Sequence, residues 1–409
     1  MTTFGELGIW RGATLVDGAF AARAEELGYG TLWLGGSPGG DLAVVDPLLE
    51  ATANLVVATG ILNIWQDDAR SAAAAFHRIG KLFPGRFVLG IGAGHREASA
   101  DYRTPYQALV DYLALQSGVS LRPEQLWAGN GSNEVLQHLV QAFGGQGRTA
   151  LGFTPAYSMH PIISETLGTT WVDGQRDRES FDLTVESAVE QARRVDPHLV
   201  FLCSPNNPTG TALPFEVVEA MLEAAPRAVV VVDEAYAEFA RPGTPSALTL
   251  LDRHPRLVVT RTMSKAFALA GGRLGYLAAD PQVVDALRLV RLPYHLSSPT
   301  QTIARVSLEH ADRLLETVDA IKRQRDRLVT ELSALGLSPV PSDANFVLFG
   351  GLADAAATWQ ALLDRGVLVR DVGIPHHLRV TAGTPEETGR FLEAMAQIVP
   401  THALSKETP

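Results

Sequence analysis

Residues 256–276 read RLVVTRTMSKAFALAGGRLGY, an apolar segment followed by a lysine and a glycine-rich stretch. The apolar run at 256–260 predicts a buried strand, and the glycine-rich stretch after it predicts a loop that carries Lys265. In open α/β sheets, ligands bind at the carboxyl ends of the parallel strands. A lysine held there among Ser, Thr and Gly can lose its proton when it is desolvated, and it can then form a Schiff base with an aldehyde.

Apolar and amphipathic stretches alternate along most of the chain, which is typical of α/β architecture with parallel sheets. The N-terminal part predicts strands at 4–10, 30–36, 55–61 and 86–92, with helices at 16–27, 44–53 and 69–82. A second series of strands is predicted near 148–153, 198–203, 227–232, 256–261 and 275–279. An α+β segment closes the chain, with a long helix at 312–332, strands at 344–349 and 377–382, and a last helix at 385–398. The basic side chains of the long helix, Arg325 among them, are expected on a solvated face.

The composition predicts a globular enzyme that acts on small molecules. The chain has 409 residues, 46% of them hydrophobic, and its 34 basic and 45 acidic residues give a formal charge of −11. That charge argues against nucleic acid or an anionic membrane surface as the main partner. No apolar run approaches the roughly 18 residues of a membrane span, and the first residues do not resemble a secretion signal. Because Cys203 is the one cysteine, we expect a cytoplasmic protein without an internal disulfide.

Further candidate residues follow the neighbouring strands of the same series. Asp233 ends the strand at 229–232, and its carboxylate can pair with a protonated pyridine nitrogen. Tyr236 stands three residues further on. Asn207 lies in the turn SPNNPTG after the strand at 199–203, and its amide can donate to a phenolate oxygen. Beyond Lys265, a phosphate can be held by the hydroxyls and guanidinium of Thr262, Ser264 and Arg273.

Two more stretches complete the candidate site. Gly131, Ser132 and Asn133 open a helix at 135–143, whose first N–H groups are offered to an anion. Tyr157, in the turn TPAY, can stack on the face of a pyridine ring. Each stretch alone is ambiguous, because an aspartate after a strand is more often a cap or turn residue. Five such stretches in order at one sheet edge predict a single site for pyridoxal phosphate, without a metal.

Residues from about 114 to 400 resemble the class I and II pyridoxal-phosphate-dependent aminotransferases of fold type I. Within that class they are most similar to the histidinol-phosphate aminotransferases. The closer match is carried by SPNNPTG, VVDEAYAEF, TRTMSKAFALAGGRLGY, RLPYHLSS, SDANFVLF and GVLVRDVGIPHHLRVTAGTPEE.

The resemblance implies a role for each candidate residue. Lys265 would be the Schiff-base lysine and would move the proton in a ping-pong transfer, and Asp233 would pair with the pyridinium. Asn207 and Tyr236 would contact the ring oxygen, and Tyr157 would stack. The phosphate of pyridoxal phosphate would be held by Gly131, Ser132, Asn133, Thr262, Ser264 and Arg273.

The resemblance also implies the substrates and the assembly. Arg370 and Arg379, with Asn345 near them, would bind the acidic ends of the substrates. These would be histidinol phosphate or imidazole-acetol phosphate in one half-reaction, and glutamate or 2-oxoglutarate in the other. The enzyme would be a homodimer.

Residues 4 to about 113 resemble a different family, the luciferase-like, deazaflavin-dependent oxidoreductases, which are (β/α)8 barrels. The match is carried by LGIWRG, RAEELGYGTLWLGGSPGGDL, VVATGILNIW, FHRIGKLFPGRFVLGIGAGH and YRTPYQALVDYL. It covers about four of the eight β/α units. A barrel site is built from the carboxyl ends of all eight strands. His95 would follow the fourth strand at the end where catalytic residues lie, although a lone histidine there is more often structural.

We therefore expect a partial (β/α) half-barrel-like segment at 1–113, a large domain at 114–295, an α+β small domain at 296–400 and a tail at 401–409. Three interpretations of the function remain open. The first is the aminotransferase, and the second is a deazaflavin-dependent oxidoreductase whose chemistry is set by the N-terminal segment. The third is a chimeric chain that binds pyridoxal phosphate with little or no turnover, since the family's N-terminal arm has no counterpart here. Within the aminotransferases, a preference for aromatic amino acids also remains open.

Overall fold

The computed structural model describes residues 4–63, 66–92, 105–293 and 295–402. The chain forms two compact units, which divide between Thr104 and Pro105. His95 lies outside the described residues. Among the helices that are described, none is both long and apolar enough to cross a lipid bilayer.

The N-terminal unit is a parallel sheet with helices between its strands. Its elements are β1 (Gly8–Gly12), α1 (Gly18–Glu26), β2 (Thr31–Gly35), α2 (Val45–Glu50), β3 (Val56–Thr59), β4 (Leu62–Asn63), α3 (Ala69–Leu82), β5 (Phe87–Val88) and β6 (Ile91–Gly92). Strands β1, β2, β3 and β5 pair in that order, all parallel, and β4 pairs with β6. Most of the predicted strands and helices of this part are present, but the first strand begins at Gly8 rather than at residue 4. The strand predicted at 86–92 is instead two short strands, β5 and β6, which pair in different sheets.

Helix α3 illustrates how the sequence forms these units. Asp68 caps the helix by accepting a hydrogen bond from the backbone N–H of Ser71. Ala72, Ala75 and Ile79 follow at helical spacing and form the buried face. An amphipathic helix of this kind must cover a sheet or another helix to bury its apolar stripe.

The second unit joins a large α/β layer to a smaller α+β layer. Its helices are α4 (Pro105–Ser117), α5 (Ser132–Phe143), α6 (Met159–Thr166), α7 (Val185–Val195), α8 (Phe215–Ala224), α9 (Pro281–Val290), α10 (Ser298–Glu309), α11 (Ala311–Ala334), α12 (Ala355–Leu363) and α13 (Pro385–His402). Its strands are β7 (Leu126–Gly129), β8 (Thr149–Thr154), β9 (Thr170–Gln175), β10 (Leu199–Cys203), β11 (Val229–Asp233), β12 (Leu257–Thr262), β13 (Gly275–Ala279), β14 (Ser338–Pro339), β15 (Phe346–Gly350) and β16 (Leu378–Thr381).

Seven strands form the central sheet of this unit, in the order β7, β13, β12, β11, β10, β8, β9. Strand β13 runs antiparallel to both of its neighbours, and the other pairs are parallel. The expectation of a wholly parallel series was therefore wrong at 275–279. The described link 263–274 carries no helix, whereas parallel neighbours are usually joined by a helical crossover. Strands β7 and β9 were not predicted, because β7 is short and β9 is a half-exposed edge strand.

The core of the unit lies on both faces of this sheet. Side chains alternate along each strand, so Val230 and Val232 belong to one buried cluster and Val229 and Val231 to the other. Strands buried on two faces read as continuous apolar runs, which explains why β11 was easy to find in the sequence.

The carboxyl ends of three neighbouring strands of this sheet bring the candidate residues to one edge. In the strand register, Cys203 of β10 lies beside Asp233 of β11, and Asp233 lies beside Thr260 of β12. Asn207, Asp233 and Lys265 therefore lie at the same edge, at or just after the ends of three neighbouring strands.

The smaller layer packs helices on a short antiparallel sheet of β14, β15 and β16. Its core contains Leu328, Leu332 and Phe349. Arg325 was expected on a solvated face of α11, and this was wrong: its side chain is 2% exposed. The guanidinium is buried because it donates to the carbonyl of Phe239 at 2.7 Å, so the fold satisfies it with a backbone acceptor from the large layer.

Helix α4 belongs to the second unit rather than to the first. Leu109, Tyr112 and Leu113 are buried in the main core cluster of the aminotransferase-like part. The Tyr112 hydroxyl donates to a carboxylate oxygen of Glu238 at 3.1 Å. The division after Thr104 thus precedes the boundary at 113 that was expected from the sequence, and that boundary stays a prediction.

Candidate active site

A cavity of about 550 Å³ opens at the carboxyl ends of β10, β11 and β12. The predicted residues on its wall are Ser132, Asn133, Tyr157, Asn207, Asp233, Tyr236, Thr262, Ser264, Lys265, Arg273, Arg370 and Arg379. Two predicted residues do not line it. Gly131 immediately precedes Ser132, which does line the cavity. Asn345 is half-buried, and its backbone carbonyl accepts the N–H of Ala382 at 2.9 Å.

Asp233 is a buried carboxylate with one satisfied oxygen. Its Oδ2 lies 3.0 Å from Nε2 of His160, and both side chains are 2% exposed. Its Oδ1 is buried and has no hydrogen-bond partner in the described part of the chain. A buried polar atom without a partner is costly, so this oxygen is suited to accept a donor from a bound ligand. A protonated pyridine nitrogen is such a donor.

Lys265 lies in the loop after β12, where its side chain opens onto the cavity. The turn is closed by the N–H of Ala268, which donates to the carbonyl of Lys265 at 3.1 Å. The Nζ atom lies 5.9 Å from the centroid of the Tyr236 ring. Burial, and then the positive charges of Arg379 and Arg273, lower the pKa of the Lys265 ammonium below its usual range. A larger fraction of this amine is therefore neutral near neutral pH, as a nucleophile requires.

The N-terminal end of α5 and the guanidinium of Arg273 form one side of the cavity. Gly131 precedes α5 with a φ of +84°, and a Cβ at this position would collide with the guanidinium of Arg273. The hydroxyls of Thr262 and Ser264, two further lining residues, lie 3.0 Å apart. Helix N–H groups, hydroxyls and a guanidinium together make a cradle whose chemistry fits a phosphate.

Two tyrosines stand on the wall between these groups. The Tyr157 hydroxyl donates to Oδ1 of Asn133 at 3.2 Å, and the Tyr157 ring meets that of His160 edge to face at 5.4 Å. The ring of Tyr236 packs edge to face on Phe346 at 5.2 Å. Burial raises the pKa of the Tyr236 phenol, so this hydroxyl stays protonated and can donate a hydrogen bond.

Two arginines approach the cavity from the smaller layer. Arg370 and Arg379 exchange backbone hydrogen bonds of 2.9 Å, so they lie side by side across an antiparallel bridge. The Arg379 guanidinium donates to Oδ1 of Asn207 and lies over the ring of Phe346, 4.5 Å from its centroid. Burial, together with the charge of Arg370, lowers the pKa of Arg379. Two positive charges at this wall favour an anionic ligand group.

His160 contacts the site through Asp233, and the sequence interpretation missed it. It stands three residues after Tyr157 and lies on α6, where a helix turn carries it back beneath the sheet edge. Its ring stacks on Phe201 at 5.0 Å. The spacing Tyr-x-x-His across the start of a helix was the available signal, since residues three apart share a helix face.

Comparisons with known proteins identify the class of protein. A family model described as aminotransferase class I and II matches residues 97–395, which is most of the chain. The chain belongs to this family.

The curated relatives narrow the class. A histidinol-phosphate aminotransferase from Frankia casuarinae is 63% identical over 292 residues, which cover 71% of this chain and 73% of that protein. Another from Paenarthrobacter aurescens is 58% identical over 295 residues, covering 72% of this chain and 78% of that one.

Solved structures show the same fold. The histidinol-phosphate aminotransferase of Sinorhizobium meliloti, solved in complex with pyridoxal-5'-phosphate, gives a TM-score of 0.64 at 26% identity. The match covers 74% of this chain and 83% of that one. The aspartate aminotransferase of Thermus thermophilus with maleate gives a TM-score of 0.64 at 26% identity, covering 72% of this chain and 81% of that one. The predicted fold-type I architecture is therefore confirmed.

The second predicted resemblance is also confirmed. A model for luciferase-like monooxygenases matches residues 18–142. This match ends within α5 and overlaps the start of the aminotransferase match at residue 97.

Proposed function

We propose that this aminotransferase uses pyridoxal phosphate to transfer the amino group of histidinol phosphate to 2-oxoglutarate. One observation carries the proposal: Lys265, the partnerless oxygen of Asp233 and the cradle around Arg273 line a single cavity. The identity of 63% to a histidinol-phosphate aminotransferase supports this substrate. The cavity residues fit the cofactor, because each of its polar groups has a complementary side chain at the wall.

Each of the cavity residues would have a separate role in the reaction. When bound, the cofactor supplies an electron sink for the negative charge left on a substrate carbon that loses its proton. Lys265 would accept that proton at Nζ and return it, since its lowered pKa makes the neutral amine available. Asp233 would accept the ring N–H and keep that nitrogen protonated. Asn207 and Tyr236 would donate to the ring oxygen, and the Tyr157 ring would cover the ring face.

The paired arginines would bind the acidic groups of both substrates. A ping-pong enzyme binds its two substrates in turn at one place, and here one carries a phosphate and the other carboxylates. Arg370 is exposed and Arg379 is anchored by Asn207, so an adjustable and a fixed guanidinium share the wall. Both anions accept the paired N–H groups of a guanidinium. Asn345 would support this wall from the start of β15.

The assembly and location are further parts of the proposal. We infer a homodimer, because Leu289 and Leu292 near the end of α9 are 87% and 76% exposed and Ile303 of α10 is 47% exposed. Exposed apolar side chains mark an interface where they form one contiguous patch, as we propose for these three. We also propose that the enzyme is cytoplasmic. Cys203 is a free, buried thiol in the structure, and the reducing cytoplasm would keep it in that state. Light scattering of the purified protein measures the dimer directly.

The test of the function is direct. Pyridoxal phosphate added to the purified protein should give a visible absorption band, and borohydride should then fix the cofactor to Lys265. The Lys265→Ala variant should lose the band. The holoenzyme should turn over histidinol phosphate with 2-oxoglutarate faster than phenylalanine. A band that persists in Lys265→Ala overturns the cofactor assignment, and a preference for phenylalanine overturns the substrate.

A further inference from the structure

We propose that Asn130, held by Glu134, is a positioning residue that directs Arg273 at the phosphate of the ligand. The inference rests on the proposed function and concerns residues outside the predicted site. Asn130 Nδ2 lies 3.1 and 2.9 Å from the two carboxylate oxygens of Glu134 and 2.6 Å from the carbonyl oxygen of His295. Its backbone N–H also donates to Glu134 at 2.6 Å. Both the side chain and the backbone of this residue are therefore fixed.

Asn130 reaches the cavity through Arg273. Its carbonyl oxygen accepts Nη2 of Arg273 at 3.2 Å, and the carbonyl of Ala270 accepts Nη1 at 3.2 Å. A guanidinium has five N–H groups, so these two carbonyls leave donors for an anion in the cavity. Arg273 adopts a φ of +51°, which a non-glycine residue rarely does, and the two carbonyls oppose any reorientation of its side chain.

Gly131 makes this approach possible. The next residue after Asn130 has no Cβ, and a Cβ there would occupy the place of the Arg273 guanidinium. The N–H of Gly131 donates to the carbonyl of Gly129 at 2.8 Å, which closes a tight turn around Asn130. The turn therefore sets both the start of α5 and the position of the guanidinium. These are the two donors that would meet a phosphate from one side.

The His295 carbonyl is itself anchored to β7. Nε2 of His295 lies 2.8 Å from the carbonyl oxygen of Ala128, which can only accept, so this ring nitrogen carries the proton. The ring stacks on Trp127 with centroids 5.4 Å apart and planes 10° from parallel. Trp127 Nε1 in turn donates to Nδ1 of His138 on α5 at 3.2 Å. The acceptor that holds Asn130 is therefore fixed to the strand and the helix that flank the turn.

The direction in which phosphate affinity changes when Glu134 is substituted distinguishes two roles of this residue. A carboxylate near a phosphate site repels the anion, so removal of its charge alone would strengthen phosphate binding. If Glu134 instead acts by holding Asn130, its removal frees the turn and weakens phosphate binding. Glu134→Gln keeps the size of the side chain but replaces one acceptor with a donor that faces the Asn130 N–H groups. The two roles thus predict opposite changes for one substitution.

The experiment compares three probes on the full chain: inorganic phosphate, pyridoxal phosphate and pyridoxal, which lacks the phosphate. We expect Asn130→Ala to weaken binding of both phosphate-bearing probes about tenfold, the scale of one or two lost hydrogen bonds. Glu134→Gln should move in the same direction, and it keeps the test decisive should Asn130→Ala fold poorly. Binding of pyridoxal should change less than about twofold. Glu186→Gln, an exposed first-turn glutamate of α7, is the matched control and should bind like the parent.

Three results would overturn the role of Asn130. These are equal losses for pyridoxal phosphate and pyridoxal, tighter phosphate binding by Glu134→Gln, or unchanged phosphate binding in both variants. The proposed function fails separately, if the parent chain forms no borohydride-stable link between Lys265 and either aldehyde. Even then, the affinities for inorganic phosphate still decide whether Asn130 positions Arg273.

Discussion

Nε2 of His160 lies 3.0 Å from Oδ2 of Asp233, and the two side chains are equally buried. This contact satisfies one carboxylate oxygen, whereas Oδ1 is buried and has no partner among the described residues. Asp233 itself lines the cavity. The histidine thereby fixes which oxygen is presented to a ligand. A carboxylate free to rotate would present either oxygen and would lose part of its preorganisation.

Substitution of His160 by leucine should destabilise the protein by about 1–3 kcal/mol, because a buried carboxylate loses its donor. The free energy of unfolding in urea measures the change. His160→Gln is the control, since its amide can still donate to Asp233 from a similar distance. Equal stabilities of the leucine and glutamine variants would show that the hydrogen bond contributes nothing.

The pKa of Lys265 should depend on Arg379. Burial lowers this pKa first, and the charge of Arg379 lowers it next, so Arg379→Gln should raise the pKa of the ammonium. A higher pKa means that the neutral amine appears only at higher pH. The pH dependence of borohydride trapping with pyridoxal should therefore shift upward. Arg370 is exposed, so solvent screens its charge, and Arg370→Gln should leave the profile in place. Equal shifts in both variants would contradict the role of Arg379.

Much of the site could be predicted because its residues end buried strands. Asp233 closes the valine run of β11, and Lys265 follows β12 by three residues. A parallel sheet brings such strand ends to one edge whatever the lengths of the intervening helices. The position of these residues at one edge could therefore be predicted from local patterns, whereas the role of each residue was implied by the resemblance.

What could not be predicted depends on contacts between distant segments. Asn206 and Asn207 are neighbours in one turn, yet Asn206 is buried and bonded to the carbonyl of Pro155, whereas Asn207 lines the cavity and meets Arg379. Arg325 stands in a basic stretch that is typical of a solvated helix face, but its guanidinium is buried and donates to the carbonyl of Phe239, which is distant in sequence. Helical periodicity predicts on which face of the helix such a residue lies, but it does not predict which segment packs against that face.

Replacement of Arg379 by lysine should lower kcat/KM about ten- to a hundredfold in both half-reactions. Lysine keeps the charge but loses the planar fork that can bond Asn207 and an anion together, and it loses the contact of the guanidinium with Phe346. Single-turnover rates with histidinol phosphate and with 2-oxoglutarate measure the two effects separately. Arg365→Lys, an exposed arginine that donates to the carbonyl of Ala361 in the same layer, should leave both rates unchanged. A loss limited to one substrate would mean that Arg379 does not serve both acidic groups.

Truncation should destabilise the protein at Leu113 but not at Leu115 of α4, because only one face of the helix packs into the second unit. Leu113 is fully buried in the main core cluster, whereas Leu115 is 84% exposed. Leu113→Ala should therefore cost about 2–5 kcal/mol of unfolding free energy, and Leu115→Ala should change it by less than about 0.5 kcal/mol. The urea concentration at which the cofactor absorption at Lys265 is lost reports on this unit specifically. If both variants lose the cofactor at the parent's urea concentration, α4 does not contribute to the aminotransferase core. That result would favour the boundary at 113 that the sequence predicts, within α4, over a division before the helix.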